Sequence, residues 1–400
     1  MPVDRTIAEE LAREMALLYR GLETRLAIDT ARAIRQNIRA TNETAKLEAI
    51  RQLRQRTEAA MRQLEGRNRE AALRAIMGAY AIGGRAAVDE LTRLGGDRRR
   101  DWLARRSGIV AALADLTGMT RRRDTAVAAE LAALRTVLPG IDAITTIARE
   151  LTNRMSSTHL RVVRWPEDVY RQVIARVAPQ ALAGVQTRLR IAQVAWEDLL
   201  SQGITGFVDR SGRRWELASY VEMATRTTVA HAAVESHLDR MSEAGIDLVI
   251  VSNAPEQCER CRPWQGQVLA RTGPTGSVET MHATEDRMIT VEVAGTIDEA
   301  IAAGLLHPNC RHSLSSYLPG VTRPVSTAGD PVGGEARQHQ RAIERDIRKE
   351  KRKEAAPVLP GAAGDHRSEV RRLQGDLREH LKAHPGLARK RHREQIGLAR

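Results

Sequence analysis

At 400 residues the chain is long enough for two or three domains and at least one substantial core. Its 42% hydrophobic content is that of soluble globular proteins, and no run approaches the roughly 18 consecutive apolar residues of a membrane-spanning helix. The net charge of +13 brings a polyanionic partner into consideration, although the heavy use of Arg and Ala is also what a GC-rich genome produces. Three cysteines cannot all pair, and the opening MPVDRTIAEELAREMALL reads as a charged amphipathic helix and not as a signal peptide. A cytosolic chain without structural disulfides is expected.

Residues 5 to about 135 read as helix upon helix. Ile7, Leu11, Met15, Leu18, Leu22 and Leu26 recur every three or four residues, and the pattern continues through Ala31, Ile34 and Ile38. It resumes at Leu47, Ile50, Leu53 and Met61, with helix ends expected at Gly66, at Gly83-Gly84 and at Gly95-Gly96. The runs Arg98-Arg99-Arg100 and Arg121-Arg122-Arg123 read as solvated faces, with DNA contact as the sharper alternative. A second helical stretch covers about 141–202, with Pro166 placed near a helix start. Glu222 and Arg226, one turn apart on the next helix, read as a packing pair.

The texture changes near residue 203. A hairpin is expected around Gly212, then a helix from about 217 to 243 ending at Gly245. Short strands follow at 247–252, at Gln267-Val-Leu and at 288–293, with a short helix at about 297–303. Six of the eleven aromatics (Trp196, Phe207, Trp215, Tyr220, Trp264 and Tyr317) fall in this third of the chain, where a compact mixed core is expected. Beyond Pro319-Gly320 a linker rich in Pro and Gly leads to two charged helices at about 335–355 and 366–384. Their apolar faces look thin, so they are expected to dock on a partner or stay partly mobile. From residue 321 onward there are 19 Lys and Arg against 11 Asp and Glu, which is +8 of the total +13. The fold class is thus α+β: a helical region (1–202), a small mixed module (203–320), and a linker with a basic helical tail (321–400).

The strongest chemical signal is Cys258-x-x-Cys261, followed some fifty residues later by His307-Pro-Asn-Cys310-Arg-His312. A CxxC turn presents two thiolates from one knuckle, and a second Cys/His cluster can complete a tetrahedral zinc site. The fourth ligand would be His307 or His312, which spacing cannot separate, with His282 a distant third. The bland reading is a set of free thiols with Cys310 in the core. A thioredoxin-like CxxC fails on context, since Arg262-Pro263-Trp264 cannot open a helix in the required way. A nucleophilic Cys310 beside His312 would need an orienting carboxylate or amide that the sequence does not identify. Trp264 is expected in the core under the knuckle. No phosphate loop, GxSxG, HExxH or paired-carboxylate motif occurs, so no catalytic residue and no organic cofactor is assigned.

The same residues carry a family resemblance. The series Glu222-Met-Ala-Thr-Arg-Thr-Thr, Asp247-Leu-Val-Ile-Val-Ser-Asn, Cys-x-x-Cys-Arg-Pro-Trp-Gln-Gly-Gln-Val-Leu, Gly304-Leu-Leu-His-Pro-Asn-Cys-Arg-His and Tyr-Leu-Pro-Gly resembles the phage minor capsid protein 2 signature. It is also similar to the C-terminal part of Mu F-like head-morphogenesis proteins. The resemblance covers about residues 200–320 and extends more weakly to Gln340-Arg-Ala-Ile-Glu-Arg-Asp-Ile-Arg in the tail. It implies a non-enzymatic minor capsid protein of a tailed phage, acting in procapsid assembly near the portal and packaged inside the head. Portal, scaffold or major capsid protein are the implied partners, with packaged DNA a further one through the basic tail. Host cytoplasm during assembly and then the virion are the implied locations. The alternative from another class is a zinc-dependent nuclease or toxin-like effector carried in the head, which would need an open metal position and a nearby general base.

Overall fold

The computed structural model describes residues 7–38, 42–94, 141–182, 187–203, 207–208, 212, 214–254, 259–283, 285–308, 310, 312–323 and 331–397. Among these the architecture is α+β, with long helices and a small mixed sheet. None of the described helices is long and apolar enough to cross a membrane. Two compact units are present, each discontinuous in sequence: residues 1–12, 71–151 and 223–334 form one, and 13–70, 152–222 and 335–400 form the other.

The helices form largely where apolar periodicity places them. Helix α1 (Ile7–Asn37) carries Glu9 and Glu10 in its first turn and Arg35 in its last, complementing the helix dipole. It buries Met15, Leu22, Leu26, Ala31 and Ile34 on one stripe, as the spacing predicts. Helix α2 (Glu43–Leu94) corrects the expected breaks, because it runs unbroken through Gly66, Gly83 and Gly84. Gly83 serves packing and does not end a helix. A Cβ there would lie 2.1 Å from the Ala233 carbonyl oxygen, so only glycine permits that backbone approach. Gly66 has open space around it and is carried by strong helix formers on both sides. Helices α3 (Ile141–Ser156) and α4 (His159–Leu182) follow, and Pro166, expected near a helix start, sits seven residues inside α4.

The helical unit holds the largest buried side chains. Helix α5 (Arg188–Ser201) starts at Thr187, whose hydroxyl caps the Arg190 N–H. Its Trp196 is fully buried and tilts against Trp165 at 6.1 Å between ring centroids. The core around them draws on Ile34, Leu53, Val173, Ile191, Leu200 and Val358. The aromatics therefore do not mark the mixed module as expected: Trp196 anchors the helical unit, where Tyr19 and Tyr170 are also buried.

The tail departs most from expectation. Helices α8 (Pro331–Ala355) and α9 (Ala363–Ala383) bury Ile343, Ile347, Val370, Leu373 and Leu377 between them. Trp196 Nε1–H donates to the Ala356 carbonyl at 2.7 Å, and Gln193 Oε1 accepts from the N–H groups of Val358 and Leu359. Arg352 is buried, with its guanidinium paired to Glu23 at 3.0 Å and to Glu216 at 3.1 Å. Burial works against the Arg352 charge, but Glu216 and Glu23 more than offset it and hold its pKa above the usual value. The tail is integral to its unit. Its contact face is partly charged, so apolar periodicity understates it.

The mixed module divides: residues 203–222 belong to the helical unit and 223–320 to the other. A two-residue pair, β1 (Phe207–Val208) with β2 (Arg214–Trp215), forms the expected hairpin. Helix α6 (Leu217–Glu243) ends before Gly245, whose φ of +76° turns the chain into β3 (Leu248–Val251). Strands β4 (Val268–Ala270), β5 (Gly276–Met281), β6 (Met288–Thr296) and β7 (Leu314–Ser316) complete a five-stranded sheet of order β5-β6-β4-β3-β7. Only the β4–β6 pairing is parallel. Alternation sorts the two faces. Val249, Val251 and Leu269 point to a core with Val234 and Leu238 of α6, and Val268 and Ala270 point to the opposite face with Val291 and Val293.

Removing the Arg352 guanidinium leaves buried Glu23 and half-buried Glu216 without that partner. Arg352→Ala is expected to destabilise the helical unit by about 3–5 kcal/mol in urea unfolding. Adding Glu23→Gln in the same chain should recover part of that loss, because one orphaned charge is removed. A loss under about 1 kcal/mol would show that the pair is not desolvated.

Candidate metal centre

Two short turns on the α6 side of the sheet build the site. After β3, Cys261 leads into a 3-10 turn, Arg262–Trp264, in which the Trp264 N–H donates to the Cys261 carbonyl at 3.0 Å. The Gly266 N–H returns to the Val251 carbonyl, so the loop is closed by the strand it left. Trp264 packs against the core that contains both described cysteines, as expected.

The second turn follows α7 (Ile297–Ala302). A capping box between Thr296 and Glu299 starts this helix. It ends in a Schellman arrangement, with the Gly304 N–H on the Ile301 carbonyl and the Leu305 N–H on the Ala300 carbonyl. Gly304 at φ +107° permits that ending, and Leu306 at φ +57° is the only non-glycine with positive φ among the described residues. The Cys310 N–H then donates to the His307 carbonyl at 2.9 Å, folding His307 and Cys310 back on each other.

Cys261, His307 and Cys310 each place a ligand atom within 4.8 Å of the other two. The two sulfurs lie 3.6 Å apart. Two thiolates on a tetrahedral zinc, each at about 2.3 Å, would be roughly 3.8 Å apart, so the spacing fits a shared ion. Cys261 is fully buried and Cys310 is 9% exposed, and neither is in a disulfide. Of the other residues expected here, Cys258 lies outside the described residues. His312 is close by: its Nδ1 is 3.3 Å from the Cys310 sulfur, and its Nε2 is 2.6 Å from the Gln265 side-chain nitrogen. His282 is outside the group; its Nδ1 accepts the Glu285 N–H at 3.2 Å.

Gln265 stands where an orienter for a Cys310–His312 nucleophile would, a place to which no residue could be assigned from residue types alone. Burial weighs against that use, since His312 is 1% exposed and a second thiol lies beside Cys310. Gln265 sits in the Trp-Gln-Gly word that carries the family resemblance, but its residue type alone does not mark it as the partner of His312.

The profile of phage minor capsid protein 2 matches residues 112–382, more than half of the chain. The chain belongs to the phage minor capsid protein 2 family. The match takes in the metal centre, both faces of the sheet and most of the two tail helices of this minor capsid protein. Searches of curated proteins and of solved structures return no match.

The same unit holds a polar latch absent from the sequence reading. Glu90, near the end of α2, accepts from His237 Nε2 of α6 at 3.0 Å and from the Ser316 N–H of β7 at 2.7 Å, and the Ser316 hydroxyl donates to it as well. The serine proton is directed at the carboxylate and not at the imidazole, so the trio fastens a helix pair to a sheet edge. Glu222, in the helical unit, pairs with Arg20 of α1.

Burial pushes the Glu90 carboxyl up, but hydrogen bonds from His237 and Ser316 outweigh it and hold its pKa at about 2. A depressed carboxyl stabilises the fold above its unfolded pKa and loses that contribution as pH falls toward the folded value. Glu90→Gln should therefore cost on the order of 2–3 kcal/mol at pH 7, and the gap from the parent chain should close between about pH 5 and 2. Urea unfolding across that range checks this, and a gap independent of pH would refute it.

Proposed function

We propose that this minor capsid protein acts in procapsid assembly, inside the head and near the portal. The family match over residues 112–382 carries the reading. Its work is binding and not bond chemistry: the helical unit and the sheet module offer surfaces to portal, scaffold or major capsid protein. The basic tail keeps most of its +8 surplus for packaged DNA, because its internal ion pairs are already subtracted in that count. Arg352, Arg367, Arg372, Arg389, Arg393 and Lys353 are all paired with carboxylates of this chain.

We also propose that Cys261, His307 and Cys310 hold one structural zinc, with Cys258 the natural candidate to close the site. The ion would tie the β3–β4 turn to the turn after α7, adding its binding energy to the stability of a small sheet. Elemental analysis of the purified chain should find about one zinc equivalent, lost in Cys261→Ser and Cys310→Ser. Chelation should lower the unfolding temperature of the parent chain. Zinc well below one equivalent, with melting unchanged by a chelator, would end this reading.

For the assembly role, mass spectrometry should find the protein in purified virions and procapsids. A premature stop early in the gene should give heads that are missing, unstable or poorly infectious while other structural proteins are still made. Fully infectious particles, with no such protein in wild-type heads, would defeat the role. Metal-dependent DNA cleavage by the pure protein, abolished in Cys310→Ser, would favour the nuclease alternative instead.

A further inference from the structure

We propose that His307 and His312 have different jobs: His307 is the imidazole ligand, and His312 with Gln265 is an outer hydrogen-bonding pair that positions the Cys310 thiolate. The inference rests on the zinc reading above. It turns on which ring nitrogen of each histidine carries the proton, and the partners of the two rings decide that.

His307 Nδ1 lies 2.7 Å from the Pro308 carbonyl oxygen. A carbonyl only accepts, so Nδ1 must carry the proton, leaving Nε2 with the lone pair that a metal ligand requires. Imidazole ligands are commonly fixed in this way, by donation of the other ring N–H to a backbone carbonyl.

His312 shows the reverse arrangement. Its Nε2 faces the Gln265 amide nitrogen at 2.6 Å. An amide nitrogen only donates, so Nε2 accepts and Nδ1 carries the proton. That proton points at the Cys310 sulfur 3.3 Å away, and the His312 backbone N–H approaches the same sulfur at 3.4 Å. Both donors of one residue thus converge on one acceptor, which suits a thiolate and leaves Nδ1 no lone pair to give a metal. His312 also lies outside the group whose ligand atoms are within 4.8 Å of one another. With His312 only 1% exposed, the donor is held by packing as well as by Gln265.

The test uses the full-length chain loaded with zinc, with affinity read by competition against a chromophoric chelator. His307→Ala should lose stoichiometric zinc under competition. His312→Ala and Gln265→Ala should keep one equivalent and bind it about 10–100-fold more weakly, the usual effect of removing an outer partner. His312→Asn, whose amide can donate from nearly the position of Nδ1, should recover most of that loss. In cobalt-substituted protein, His312→Ala should keep the thiolate charge-transfer intensity and shift its energy, a change that loosened packing alone would not produce.

If His312→Ala loses the metal while His307→Ala keeps it, His312 is the ligand and the inference fails with the zinc reading intact. The same holds if His312→Ala, Gln265→Ala and the parent chain bind zinc equally. A parent chain that binds no zinc ends both readings. Rapid alkylation of Cys310 by iodoacetamide in such a metal-free parent chain, slowed in His312→Ala, would assign the trio to a nucleophile.

Discussion

A guanidinium cannot be buried alone, and Arg352 is buried almost completely. Its partners come from distant points in the chain, Glu23 on α1 and Glu216 just before α6. Burial pushes the Glu23 carboxyl up more than Arg352 and the Ala218 N–H pull it down, so its charge depends on those partners being held in place. Since desolvating either partner by itself costs several kcal/mol, the first, middle and last thirds of the sequence must meet in this unit for any of them to be buried. Trp196 on the Ala356 carbonyl and Gln193 on the Val358 and Leu359 amides repeat the constraint with neutral groups. Such pairings do little for gross stability compared with an apolar core, but they tolerate only one register of the tail against the helices.

The sheet module meets a different difficulty. Its strands β3, β4 and β7 have only three or four residues each, and a sheet that small buries little apolar surface. The Glu90 latch, spanning α2, α6 and β7, offsets this, and the Cys261–His307–Cys310 group brings the turn between β3 and β4 against the turn after α7. The cysteines belong to the same core as Val249, Leu269 and Leu305, so a bound ion would stiffen the apolar face from within and not decorate its surface.

How much of this was legible follows from what kind of signal each feature leaves. Helices α1, α6, α8 and α9 were readable because apolar period and terminal glycines act locally. Strands β3, β4 and β6 stood out as short β-branched runs, whereas β5 (Gly276–Met281), largely exposed, and the three-residue β7 carry no hydrophobic alternation to find. The Cys/His cluster was visible as residue types and spacing, but the proposed division of labour between His307 and His312 was not. That division depends on a proline carbonyl and a glutamine amide, which are common residues made special only by position. The expected ends at Gly66 and Gly83 failed for a related reason. Glycine is read as a terminator, yet Gly83 exists to let the Ala233 carbonyl approach α2.

The tail holds the sharper lesson about charge. Counting residues, +8 of excess charge in 80 residues suggests a polyanion-binding arm. Placed in the fold, Arg393 pairs with buried Glu344, Arg389 holds Glu394 by two nitrogens, and Arg348 donates to the Arg393 carbonyl. Burial lowers the Arg348 pKa to about 10, with Arg20 nearby adding to the effect, so even this cation is sustained by surrounding carboxylates such as Glu222 and Glu216. Charge committed to internal pairs releases no counterions from a nucleic acid, and it is counterion release that makes basic arms bind DNA. These pairs lie largely within the tail and are already subtracted in its +8, so the surplus stays with residues such as the exposed Arg371, Arg378, Lys382 and Arg391. The buried arginines Arg352 and Arg393 act as internal fasteners that fix one packing of helices, and the surplus charge is a separate, outward property of the same tail.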